Sequence, residues 1–183
     1  VGSSAVWLHS QSPLVGVPSD VQAGDLLLLF VTANEAGTFD APVGWDLERR
    51  TSSGPLTVSL FTRTADGSES GSQVSVAFPA LYRADLTMLA YRGVGDGGVE
   101  GLEFVVDRNT ASHTTPSVTI IGDNRVALSF WADRSSTTTT WTAPSGIDVV
   151  STQVGTGGGR VGTLVGSASP GAGPYGGIVA TTN

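Results

Sequence analysis

The chain has 183 residues, enough for one domain that buries about 70% of its unfolded surface without covalent staples. It contains no cysteine, which excludes disulfides and thiolate metal sites, and its 9 basic residues, all arginine, stand against 16 acidic ones for a net charge of -7. That balance argues against a nucleic-acid partner, which needs a basic patch to neutralise phosphates, and the absence of lysine removes Schiff-base and P-loop chemistry.

No apolar segment approaches the ~20 residues needed to span a bilayer, and no signal-peptide pattern precedes the first strand, so a soluble chain without a membrane partner is expected. The chain opens at Val1 without an initiator methionine and so reads as a processed product or a fragment of a longer chain.

In chain order, residues 5–9 and 14–17 read as short strands divided by a polar turn. Residues 26–31 are six consecutive apolar residues closed by turn residues, which predicts a strand buried on both faces at the centre of the core. A polar loop then ends in Ala41-Pro42-Val43-Gly44-Trp45-Asp46-Leu47. Proline fixes φ and glycine permits positive φ, so this is a chain reversal that feeds a new strand beginning at Trp45. The 56–63 stretch alternates, with Leu56, Val58 and Leu60 on one side and Thr57, Ser59, Phe61 and Arg63 on the other, as in a half-buried antiparallel strand. Strands are also expected around Val74, Val76 and Phe78, over 86–92, over 102–107 and over 116–121.

The 125–133 stretch repeats the central unit: an apolar run, a polar loop over 134–142, then Ala143-Pro144-Ser145-Gly146-Ile147-Asp148-Val149, the same A-P-x-G-apolar-D-apolar pattern. The repeat predicts two related strand-loop-strand units whose loops lie at related rims of the fold. Weaker strands follow at 147–154, 160–165 and 178–181. No window carries helical apolar spacing with caps. The expected fold is therefore all-β, a single two-sheet antiparallel β-sandwich over residues 1–183 with a jelly-roll-like arrangement. Its core is expected to hold Leu26, Leu28, Phe30, Trp45, Leu60, Val76, Leu89, Val126, Leu128 and Phe130.

Among candidate sites, Gly93, Gly95 and Gly98 match G-x-G-x-x-G, but no helix follows to hold a pyrophosphate, so the motif reads as a loop. Asp96, Glu100, Glu103 and Asp107 could supply calcium ligands or a glycosidase pair, yet their spacing fits no ligand loop and Glu103 and Asp107 fall on an outward face. His9 and His113 are the only histidines, and no Gly-x-Ser-x-Gly occurs, since the 67–71 stretch has Glu69 where an esterase places serine. The expectation is a non-enzyme with no cofactor, no metal and no catalytic set. Trp131, Asp133, Arg134 and Trp141 form the candidate ligand site, because an exposed indole beside polar groups stacks on sugar CH faces while its neighbours hydrogen-bond. The competing reading packs Trp131 between sheets, as is expected of Trp7 and Trp45.

The set Gly24-Asp25-Leu26-Leu27-Leu28, Pro42-Val43-Gly44-Trp45, Phe61-Thr62-Arg63 and Ala90-Tyr91-Arg92-Gly93-Val94 resembles a β-sandwich module of virion structural proteins, mostly minor tail proteins, of phages infecting actinobacteria. The resemblance runs over residues 14–165. It implies a non-enzymatic virion structural protein, tail-associated or decorating the capsid surface, contributing to host-surface attachment. Its partners would be other virion proteins and a host cell-surface glycan, in a homo-oligomer or multicopy assembly on the virion surface. The alternative is a carbohydrate-binding or adhesin module of a secreted bacterial protein. Such modules often finish on an apolar strand, whereas this sequence stops at Thr181-Thr182-Asn183, and the family defines no adhesive or catalytic residues to transfer.

Overall fold

The computed structural model describes residues 2–95 and 98–183, and among them the chain is all-β with no helix. The first strands are β1 (Gly2–Ser10), β2 (Leu14–Gly16), β3 (Leu26–Ala33), β4 (Asp46–Ser53) and β5 (Leu56–Thr64). They are followed by β6 (Gln73–Ser75), β7 (Tyr82–Tyr91), β8 (Ser112–Thr114), β9 (Val118–Ile120) and β10 (Ala127–Ser135). The last are β11 (Trp141–Thr142), β12 (Asp148–Val154), β13 (Arg160–Ala168), β14 (Gly173–Tyr175) and β15 (Val179–Thr182).

The large sheet has the order β1-β7-β3-β5-β4, antiparallel at every junction, which places β3 at its centre. The continuous apolar run of β3 fits that position, since a strand covered on both sides has no face to give to water. On one side Leu27, Leu29, Val31, Phe61, Leu86 and Met88 pack under Val15, Val76 and Phe78, from the β2-β6 pair and the segment after it, and under Phe39 and Trp45, from the connection between β3 and β4. On the other side Leu28, Phe30, Leu60 and Leu89 face the second sheet, β10-β13-β12, through Val165, Leu128 and Phe130. Phe30 and Phe130 stack across this gap with ring centroids 4.3 Å apart and planes 6° from parallel. Strand β1 lies beside β12, and Trp7 presses on Gly155, where an added Cβ would fall 1.8 Å from Nε1.

The structure corrects several expectations. Strand β5 is not half-buried: Phe61, Ser59 and Thr57 are all at 0% exposure, because the β2-β6 layer covers the face that alternation assigned to water. Residues 102–107 form no strand; Leu102 and Phe104 still turn inward, with Phe104 under the Arg49 guanidinium at 5.5 Å, but no neighbouring strand pairs with them. Val126 is 53% exposed because it precedes the first paired residue of β10. Leu26, Leu128 and Phe130 are half-buried, whereas Leu28, Phe30, Trp45, Leu60, Val76 and Leu89 are buried as expected. Finally, the outer face of β10 and β13 is not open: the sheet β11-β15-β8 lies over it, burying Trp131 with Leu164 and Ala180.

The doubled turn is real in the backbone. Gly44 and Gly146 both take φ of 79°, a left-handed value that an L side chain rarely adopts, and the Trp45 N–H donates to the Pro42 carbonyl at 3.0 Å.

Candidate functional site at the loop end

The loops that leave the two repeated strands start side by side. Asn34, just after β3, is buried; its N–H donates to the Arg83 carbonyl and its Oδ1 accepts the Arg83 N–H, tying it to the start of β7. Its carbonyl accepts Arg134 Nε–H at 3.3 Å, so the loop after β10 begins against the loop after β3. The glycine-rich 155–159 turn between β12 and β13 completes this end. Arg83 Nη2 lies 3.4 Å from the place a Cβ would occupy at Gly157, and Arg134 Nη2 lies 2.9 Å from that of Gly159. Arg160 follows the turn and donates to the Ser136 carbonyl, while Ser136 Oγ accepts the Gly159 N–H.

Three arginines thus flank one small turn, and among the described residues none of them is within ion-pairing distance of a carboxylate. Three other arginines are matched: Arg92 holds Asp25 at 2.8 Å, Arg63 holds Glu69 at 2.7 Å and Arg125 holds Glu100 at 2.9 Å. The Arg92 hydrogen bond keeps the Asp25 carboxyl below the usual carboxylate range, with a backbone N–H from Gln22 adding to it. The Glu69 carboxylate also accepts the N–H groups of Asp66 and Gly67, so the 67–71 segment is a structural turn.

The four residues expected to form one sugar-binding face are not brought together as one. Trp131 is 4% exposed and cannot stack on an outside ligand; alternation correctly sets it opposite Phe130, but the β11-β15-β8 layer covers that side. Trp141 is half-buried against Gly162, with its ring 5.2 Å from that of His113. Asp133 and Arg134 do share a polar cleft of about 330 Å³ with Thr137, Thr138 and Asn183, and Asp133 accepts the Thr138 hydroxyl at 2.7 Å. The hydroxyl-rich loop is itself pinned, since Asn183 Oδ1 accepts the N–H groups of Thr139 and Thr140.

The other candidates scatter. Asp96 lies outside the described residues; Glu100 pairs with Arg125, Glu103 is exposed, and Asp107 accepts His113 Nδ1–H at 3.0 Å. Among the described residues no group of three potential metal ligands gathers. His9 is exposed at the end of β1, opposite Arg83. The arginine arrangement escaped sequence reading because residues 83, 134 and 160 come from three strands; the only trace in the chain is that none has an acidic residue within ion-pair spacing that the fold uses.

One buried acid was also missed. Asp85 is wholly buried between the two large sheets, where Oδ1 accepts the hydroxyls of Thr87 and Thr163 at 2.9 Å each and Oδ2 has no partner. Burial pushes its carboxyl up to about 6, and the two hydroxyls oppose that rise only in part. No protein family, no curated protein and no solved structure matches the chain.

Proposed function

We propose that the chain is a non-enzymatic structural module of a virion surface, displayed in many copies, whose arginine-bearing loop end meets an acidic polymer of the host cell surface. The observation that carries this reading is the grouping of Arg83, Arg134 and Arg160 around one turn of a protein whose net charge is -7. An acidic body with one cationic end is repelled by anionic surfaces except through that end. Next to it, the cleft of Asp133, Thr137 and Thr138 offers hydroxyl and carboxylate hydrogen-bonding groups of the kind that sugar hydroxyls meet. The virion setting is supported by the resemblance of the Gly24–Leu28, Pro42–Trp45, Phe61–Arg63 and Ala90–Val94 segments to phage structural modules. An exposed ion pair contributes about 0 to 1 kcal/mol, so each copy binds weakly and attachment comes from many copies on one particle.

The test joins two measurements. The chain should be found in purified particles, and a multivalent form carrying Arg83→Gln, Arg134→Gln and Arg160→Gln should adsorb to host cell-wall polymer several-fold less than wild type. The wild-type adsorption should weaken with added salt while the variant's should not, with thermal stability unchanged. Absence from particles removes the virion setting; adsorption unaffected by the three substitutions removes the cationic end as the contact.

A further inference from the structure

A sheet edge presents a row of backbone N–H and C=O groups that another strand can pair with, and proteins protect such edges with charges, bulges or a covering segment. The edges of the two large sheets are protected unequally. Strand β4 carries Asp46, Glu48, Arg49 and Arg50 and a bulge between Leu47 and Arg49. Strands β1 and β12 lie beside one another, and β12 is bulged between Val149 and Ser151. Strand β10 has none of these devices: it pairs with β13 alone, in unbroken register over 127–135, and residues 127–132 include no charge and no proline.

The space beside that edge is open. A cavity of about 790 Å³ is lined by every residue over 126–134, those turned toward the large sheet and those turned away alike, so it follows the edge of β10 rather than one face. Inside, it reaches the apolar wall of Leu28, Phe30 and Leu60, and Val105, Val106, Ile121 and Val126 line it while remaining exposed. Its far wall is the 98–110 segment, which belongs to no strand. That segment is held toward β4, with Phe104 under the Arg49 guanidinium at 5.5 Å and Arg108 Nε–H donating to Ser53 Oγ at 3.0 Å. Among the described residues, no backbone hydrogen bond joins 99–110 to another part of the backbone. The chain's own alternating stretch over 102–106 therefore stands across the groove from β10 without pairing with it.

These features specify an occupant. Donors and acceptors that recur at every second residue along a strand are matched by another backbone, whereas a small molecule meets one or two of them. An apolar wall on one flank asks for apolar side chains at alternate positions of that backbone, since a strand turns every second side chain the same way. We infer that the free edge of β10 is a docking site for an extended, uncharged segment of another polypeptide. The segment adds a fourth strand to the β10-β13-β12 sheet and turns its apolar side chains toward Leu28, Phe30 and Leu60.

The experiment adds a blocked heptapeptide of alternating threonine and valine to the whole chain and follows binding by calorimetry and by hydrogen exchange. Saturable binding at one peptide per chain is expected, with slowed exchange at every second amide of β10, those that β13 leaves free, and no change along β4. The same peptide methylated on its three central amide nitrogens keeps its side chains and loses its ladder donors, so it should bind about tenfold more weakly. Val126→Lys, a charge placed at an exposed position beside the edge, should weaken binding several-fold with an unchanged melting temperature. Absence of saturable binding, equal binding of the methylated peptide, or protection that falls outside β10 would overturn the proposal. So would protection of the same β10 amides before peptide is added: if it grows with protein concentration the edge belongs to a second copy, and if it does not, to the 102–106 segment.

Discussion

Consider the two sides of the β3 strand. Leu27, Leu29 and Val31 enter a face closed over Phe61 by Phe39, Trp45 and Phe78, where large side chains meet one another and the Arg50 guanidinium caps the Phe39 ring at 4.5 Å. Leu28 and Phe30, one residue out of step, enter a face that holds the stacked Phe30–Phe130 pair, the buried Asp85 and the mouth of a 790 Å³ cavity. The side chains are the same kinds on both sides. What differs is the cover: loops and the short β2-β6 pair mould themselves to the first face, whereas the second is covered by another sheet, a flatter partner that leaves space at its free edge. Apolar sequence secures burial of a strand, but the shape of the covering layer decides whether burial is also filling.

The sharpest way to break this comparison is a pair of identical truncations. Leu29→Ala should cost about 4 to 5 kcal/mol, because it opens a void in a closed face. Leu28→Ala should cost about 2 to 3 kcal/mol, since its neighbours already border free space and the new void merges with it. Equal costs in denaturant unfolding would mean that the two faces are packed alike.

A third face enters next. Trp131→Ala should cost about 3 to 4 kcal/mol, as a buried indole between β10 and the β11-β15-β8 layer is lost. Unfolding free energy within about 0.5 kcal/mol of wild type would return Trp131 to the surface and reopen its reading as a ligand platform.

The last prediction isolates Asp85, the acid buried between the two large sheets. Its folded value of about 6 lies above the model-peptide value of 3.8, so the folded state holds a proton that the unfolded state has released between those values. Asp85 therefore favours folding most below about pH 4; that contribution falls as pH rises to about 6 and is flat above. The swing is up to about 3 kcal/mol. Asp25, whose carboxyl is lowered by Arg92, acts with the opposite sign and below 3.8. Asp85→Asn keeps an acceptor for Thr87 and Thr163 and removes the charge, so its stability should be level between pH 4 and 6 where wild type declines. Parallel profiles for the two proteins would show that Asp85 does not titrate in this range.

Much of the fold could be read in the sequence where one residue pattern decides one outcome. Six apolar residues in a row could only be a strand covered twice, and the A-P-x-G repeats could only be reversals. Alternation told which way side chains point, and for Phe130 and Trp131 it was right. It could not tell what lies beyond, because the cover on Trp131 comes from Ala180 in a segment diluted by glycine and threonine. Likewise Leu102 and Phe104 point inward without any ladder, since alternation reports facing and not pairing. Asp85 escapes the pattern because apolar residues mark the strand only from 86 whereas β7 begins at Tyr82, although an aspartate between Ala84 and Leu86 is the kind of exception that marks a buried polar contact. Asp107 falls on an outward face by alternation and His113 lies in a polar loop of the sequence; the return of β15 alongside β8 buries the histidine.

The outer layer that hides Trp131 is built from strands of three, two and four residues, against nine, nine and seven in the sheet beneath it. With so few ladder bonds it is expected to open as a unit at a free energy well below that of global unfolding, which hydrogen exchange would show as amides of β8, β11 and β15 exchanging first. When β8, β11 and β15 lift, the two large sheets remain closed on each other, and the indole of Trp131 comes into contact with water. Its fluorescence and its access to a quencher would therefore time the peeling of the molecule from the outside inward, making Trp131 a clock for the first step of opening.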